Sequence, residues 1–175
     1  MYTIIKKSKM AELDKICEGK VKFDGIFNFG EIYKFVYTML GDYEYKIEEK
    51  VYSEKSKPTG KEIEIVWMTK RKISDYFRFR INVTWLILGM SDVEVQKDGA
   101  KVKLNKGNLE IKFTTYLEKD YEQRWENNSI VKFMRGIYDK YIIKSRIETY
   151  EDKVKEETDE FIAQAKAFLA LEAKI

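Results

Sequence analysis

The sequence predicts an α+β protein in which an antiparallel sheet is gripped by helices. Between Tyr43 and Glu118, short segments alternate apolar and polar side chains, the period of strands with one buried face. Apolar residues at helical spacing precede that run, between Asn28 and Gly41, and follow it after Asp120. Turn residues divide the alternating run into strands that can be counted.

Residues 1–18 mix lysine with Ile4, Ile5, Met10, Leu13 and Ile16, which suits either a loose peripheral arm or a peripheral strand and helix. Val21 and Phe23 alternate between Gly19 and Gly25 as a short strand. Asn28 and Glu31 then stand at capping-box spacing, the Asn side chain accepting from first-turn amides while Glu reaches back. Ile32, Phe35, Val36, Met39 and Leu40 fall on one helical face, and Gly41 follows as a C-terminal stop.

Tyr43, Tyr45, Ile47 and Val51 form the next strand, ending at the loop Ser56-Lys57-Pro58-Thr59-Gly60 with the only proline. Ile63, Ile65 and Trp67 alternate with Glu62 and Glu64, while Phe77, Phe79, Ile81, Val83 and Trp85 alternate with Arg78, Arg80, Asn82 and Thr84. Val93 and Val95 lead to Asp98-Gly99, a type I′ hairpin signal, and Val102 and Leu104 lead to a second turn at Asn105-Lys106-Gly107-Asn108. Leu109, Ile111, Phe113, Thr115 and Leu117 complete the last strand. The count is six to seven strands, one face apolar and aromatic, the other mostly charged.

After the sheet, Ile130, Phe133, Met134, Ile137, Tyr138 and Tyr141 share a helical face that should lie across the apolar side. Ile147, Tyr150, Val154, Phe161, Phe168 and Leu171 recur at near-heptad spacing, interrupted by Glu157 and Gln164. The chain after Gly136 has no Pro or Gly, so it runs as one long helix or bends around Lys144 to Arg146. Residues 142–175 either project as a helix that needs a partner or fold back on the same core.

One domain accounts for residues 1–175, because 44% hydrophobic content in 175 residues supplies one sizeable core. The 33 basic and 30 acidic side chains leave a net charge of only +3, which argues against a dedicated polyanion-binding field and against nucleic acid as a partner. The single Cys17, the lack of an apolar leader and the absence of any bilayer-length apolar run point to a cytoplasmic protein with no membrane contact. No histidine exists for Ser-His-Asp relays or zinc, no phosphate-binding glycine loop occurs, and neither a metal nor a cofactor is expected. Abundant Lys, Glu, Ile and Tyr resemble a heat-adapted composition, and an AT-rich genome would give the same bias.

The order of elements, a short strand, a helix, six strands and a C-terminal helix, resembles the START-like, or helix-grip, superfamily across roughly Gly19 to Tyr141. The texture also resembles small archaeal proteins of unassigned function. The superfamily has a helical pair between its first two strands where this chain shows one helix. The resemblance implies a non-catalytic module that binds an apolar small molecule between sheet and C-terminal helix. Trp67, Phe77, Phe79, Ile81, Trp85, Ile111 and Phe113 would line that pocket opposite Phe133, Ile137 and Tyr141; the simpler reading is that the same residues fill a solid core.

Two other readings come from the residues themselves. Arg78, Arg80, Lys101, Lys103 and Lys112 would lie among Tyr52, Asn82, Thr84 and Tyr116 on the charged face, an arrangement suited to weak binding of single-stranded nucleic acid. Glutamates at 44, 48, 62, 64, 94 and 110 share that face, and cross-strand pairing explains the mixture without a ligand. Lys70-Arg71-Lys72 forms a basic cluster at a turn between strands. The stripe from Ile147 to Leu171 offers a seam for a homodimer or protein partner. Glu122 and Glu126, beside Tyr121, Arg124 and Trp125, share a helical face, where helix-end stabilisation accounts for them. Asp75, Asp92 and Asp98 fall in expected turns, and no residue is assigned a catalytic role.

Overall fold

Period-two alternation builds five long strands, β1 (Glu12–Phe27), β2 (Lys46–Lys57), β3 (Gly60–Lys72), β4 (Phe77–Lys97) and β5 (Ala100–Lys119), with helix α1 (Phe29–Asp42) between the first two. A π-helical turn, Tyr138–Ile142, precedes the C-terminal helix α2 (Lys144–Glu172). This computed structural model describes residues 12–97, 100–122, 133–134 and 136–172. The strands form one antiparallel sheet in the order β1-β5-β4-β3-β2.

The strand count is five, not six to seven, because two expected breaks are passed without one. Val93 and Val95 continue β4, and Asn105 to Asn108 continue β5. What reads as a turn is a bend. Gly89 adopts φ +64°, the register slips between Leu88 and Ser91, and Asn105, Lys106, Gly107 and Asn108 keep partners on β1. Gly60 crosses at the same place, where a Cβ would meet the Gly89 carbonyl carbon at 2.7 Å. Beyond the bend, β4 and β5 pair down to Lys97 opposite Ala100; the Asp98-Gly99 turn itself lies outside the described residues.

Other boundaries moved for identifiable reasons. Residues 12–18 join the Gly19–Gly25 segment in one strand, since β5 is long enough to pair with all of it. The five-residue loop around Pro58 tightens to the two residues Pro58 and Thr59, with Lys57 opposite Gly60. Asp92 lies in β4, not in a turn, and accepts from Asn105 Nδ2 at 3.0 Å.

Helix α1 starts as its cap residue dictates, with Asn28 Oδ1 accepting from Glu31 N at 3.2 Å. The reciprocal half of the capping box comes from elsewhere. The Asn28 amide donates to Glu172 of α2 at 2.7 Å, and the Phe29 amide donates to Asn105 Oδ1 at 3.1 Å. At the other end Glu44, not Gly41, takes the left-handed conformation (φ 64°), while Tyr45 N returns to Leu40 O at 3.0 Å.

The chain bends between Tyr138 and Lys144, where Ile143 is non-helical, so the C-terminal region folds back rather than projecting. Helix α2 lies over the β1–β5 half of the inner face and against α1. It buries Val154, Phe161, Ala165 and Leu169, while α1 buries Ile32, Val36, Met39 and Leu40 against the same cluster. Each of these larger side chains stabilises the fold by about 1.5–3 kcal/mol.

Candidate functional site

The seven sheet residues expected to line a pocket, Trp67, Phe77, Phe79, Ile81, Trp85, Ile111 and Phe113, all point inward and are buried. They face α1 and α2, whose side chains join them in one core cluster. Their expected partners do not. Phe133, Ile137 and Tyr141 are 70%, 40% and 71% exposed, and it is α2 whose side chains meet the sheet. Trp67 and Trp85 meet at 5.3 Å between ring centres, with Tyr33 of α1 edge-on to Trp67 at 4.8 Å. Glu49, on the rim, accepts from Tyr33 Oη at 2.8 Å and Trp67 Nε1 at 3.2 Å. Burial, followed by that carboxylate, pushes the Tyr33 phenol up to about 12.

A second inner group is polar. Arg71 Nη2 donates to both Glu157 oxygens, at 2.6 and 2.7 Å, and Nη1 donates to Tyr43 O at 2.9 Å. Tyr45 Oη donates to Glu157 Oε2 at 2.9 Å, and the guanidinium lies over the Tyr45 and Phe79 rings. Burial, and next the Glu157 charge, keep the Tyr45 phenol protonated far above its usual range. Nearby, the Thr115 and Thr158 hydroxyls meet at 2.7 Å. The set pins α2 to the sheet. Arg71 is therefore not part of a solvated turn, as the Lys70-Arg71-Lys72 cluster suggested. Two sequence signals pointed to the pairing: the alternation Ile63, Ile65, Trp67, Thr69, Arg71 carries the arginine onto the apolar face, and Glu157 interrupts an apolar stripe.

The α2 stripe is largely consumed by this packing. Val154 and Phe161 are fully buried, Tyr150 meets Phe77 at 5.1 Å, Phe168 stacks on Phe35 at 4.7 Å, and Ile147 packs on the core. Leu171, 69% exposed, stays outside.

An open cleft of about 280 Å³ lies where the end of β1, the distal part of the β4–β5 ribbon and the C-terminal end of α2 meet. Phe23, Ile26, Val95 and Leu104 line it with apolar side chains, and Asp24 and Glu172 add carboxyl groups to the lining. None of its residues was anticipated as a site, since the cleft depends on the β4–β5 strands continuing past their bend.

On the outer face, Arg78 donates to Glu118 through Nε at 2.7 Å and Nη2 at 2.8 Å, and Arg80 reaches the same carboxylate at 3.4 Å. Arg78 also lies over the Tyr121 ring at 4.5 Å. Lys112 pairs with Glu18 at 3.0 Å and Lys101 with Glu94 at 3.8 Å, while Lys103 stands opposite Glu94. The hydrogen bond from Lys15, followed by that from Lys112, holds Glu18 down to about 2. The five basic candidates do not form one group. Arg78 and Arg80 sit together near one end of the sheet, Lys112 is bound up with Glu18, and Lys101 and Lys103 belong to the distal ribbon.

Tyr121 donates to Ser74 O at 3.0 Å, and Asp75 holds Lys72 at 2.7 Å; Arg124, Trp125 and Glu126 lie outside the described residues. Among the described residues no acidic, histidine or cysteine group is placed to hold a metal ion, and no helix is long and apolar enough to cross a membrane. No family model, curated protein or solved structure matches the chain.

Proposed function

We propose that this protein is a soluble, cytoplasmic, non-catalytic binding module of the helix-grip type that holds a small apolar molecule at one end of the grip. The strand order β1-β5-β4-β3-β2, with one helix between β1 and β2 and a terminal helix over the inner face, supports that layout. The observation that carries the reading is the end cleft, lined by apolar side chains together with Asp24 and Glu172, of which Glu172 already accepts from the Asn28 amide. At about 280 Å³ it suits a ligand of one or two rings. The aromatic centre of the sheet is closed by α1 and α2 and acts as the support for that cleft.

Native mass spectrometry of gently purified protein, followed by indole titration monitored on Val95 and Leu104 methyl resonances, tests the reading. A retained apolar compound, or saturable indole shifts of the Val95 methyls that Leu104→Trp abolishes, is the expected result. A clean spectrum together with methyl resonances unmoved by indole rejects it.

A further inference from the structure

The outer face distributes its charges unevenly, and the strand register shows where. Lys46 stands opposite Lys70, Lys70 opposite Arg80, Arg80 opposite Tyr116, and Tyr116 opposite Lys15. One row across all five strands thus holds four cations and a phenol. In the next row Lys72 stands opposite Arg78. Like charges directly opposed on neighbouring strands destabilise a sheet, so three such pairs side by side are a cost that folding alone does not explain.

Carboxylates offset only part of it. Glu118 is shared by Arg78 and Arg80, Asp75 holds Lys72, and Glu18 is shared by Lys15 and Lys112. Among the described residues neither Lys46 nor Lys70 forms an ion pair; the nearest carboxylate on their face, Glu48, is taken up by Lys50 and acts on Lys70 only through its charge. Arg80 Nε and Asn82 Oδ1, on the same side of β4, are buried without a hydrogen-bond partner among the described residues. Farther along the face the charges are mixed and largely paired: Lys20 and Lys22 reach Glu110, Lys57 reaches Glu62, and the exposed apolar residues Leu86 and Leu88 lie among them.

We propose that this row is a track for the backbone of single-stranded nucleic acid, with Tyr116 as a stacking platform. With strands about 4.8 Å apart, Lys46 to Lys15 spans about 19 Å, a site at the short end of the roughly 4–16 nucleotides that single-strand-binding folds cover. Phosphates crossing the strands would replace the missing carboxylates of Lys46 and Lys70. A flat sheet row cannot enter a duplex groove, and the apolar side chains beside the cations, Leu13 and Met68, are partly buried, which leaves little to insert into a lipid surface.

Fluorescence anisotropy of labelled dT and rU 12-mers, from 20 to 200 mM NaCl, tests this. Neutralising about four phosphates gives a log–log salt slope near −3, which is roughly a 600-fold loss over that range. Lys46→Glu with Lys70→Glu should weaken binding at least tenfold at low salt and flatten the slope by about 1.4. Lys55→Glu with Lys103→Glu, the same charge change away from the row, should stay within about twofold of the parent. Tyr116→Leu should lower affinity without changing the slope. Absence of binding at 20 mM salt, equal losses in the two double variants, or capture by phosphatidylserine vesicles without oligonucleotide binding would each overturn the proposal, the last in favour of a membrane surface.

Discussion

The two faces of the sheet are made from alternate residues of the same strands, yet they treat charge in opposite ways. Inside, Arg71 is surrounded by Glu157, Tyr43 O and two aromatic rings, and its partner lies on another element. Outside, Lys46, Lys70 and Arg80 face one another across neighbouring strands. A buried charge must be met by an opposite one or the fold loses several kcal/mol, so burial enforces pairing and turns it into a positional clamp. Hydrated charges repel by tenths of a kcal/mol, so an outer face can keep a repulsive row when something other than folding requires it.

The largest effect should come from the inner face. Phe161 is fully buried against Tyr43 and Tyr45, and Phe161→Ala should cost about 3–5 kcal/mol in urea unfolding, comparable with much of a domain's stability. A cost below about 1 kcal/mol would mean that α2 does not close the inner face. Next is the clamp: Glu157→Ala, which strands Arg71, should cost about 3 kcal/mol, and adding Arg71→Met should recover much of it. If the double variant is less stable than the single, the pair is not acting as a matched buried unit.

The outer face should give the opposite sign. Lys70→Glu places a carboxylate between Lys46 and Arg80 and should stabilise the fold by about 0.5–1 kcal/mol. Lower thermal stability in that variant would show that the row is not self-repelling. The smallest effect concerns Glu151, half-buried on α2, whose carboxyl is held above its ordinary range by burial and then by the Asp14 charge. With its folded-state pKa raised, Glu151 favours the fold below about pH 4.5 and loses that contribution as the pH rises through the folded value. Glu151→Gln should therefore raise stability at pH 7 by up to about 0.5 kcal/mol and give no gain near pH 3.5. Equal gains at both pH values would remove ionisation as the cause.

Period was readable in the sequence and register was not, and that difference separates what was anticipated from what was missed. Alternation alone placed Trp67, Phe79 and Phe113 on the apolar face, and spacing with a cap residue placed α1, because both signals are local. Gly89 and the Asn105–Asn108 stretch carry turn residues but serve a bend, a distinction decided by pairing to β1 and by the passage of Gly60 beside Gly89. The cation row was hidden for the same reason. Lys15, Lys46, Lys70 and Arg80 come from four strands, and a net charge of +3 averages them against the acidic residues of the whole chain. The cleft depends on Val95 and Leu104 reaching Phe23 and Glu172 across large separations in sequence.

The pairing of β1 with β5 also sets the order of assembly during synthesis. Glu12 to Phe27 is made before any other described strand, but its partner spans Asn105 to Lys119, so β1 waits while α1 and the β2–β3–β4 meander emerge. Closure over so long a stretch should make the β1–β5 ladder the slow event in folding, with a 16-residue strand unpaired in the meantime. Lys15, Glu18, Lys20, Lys22 and Asp24 punctuate that strand at short intervals. Their charges discourage the waiting segment from pairing with another nascent chain, so the same side chains that later face water protect the protein before it is complete.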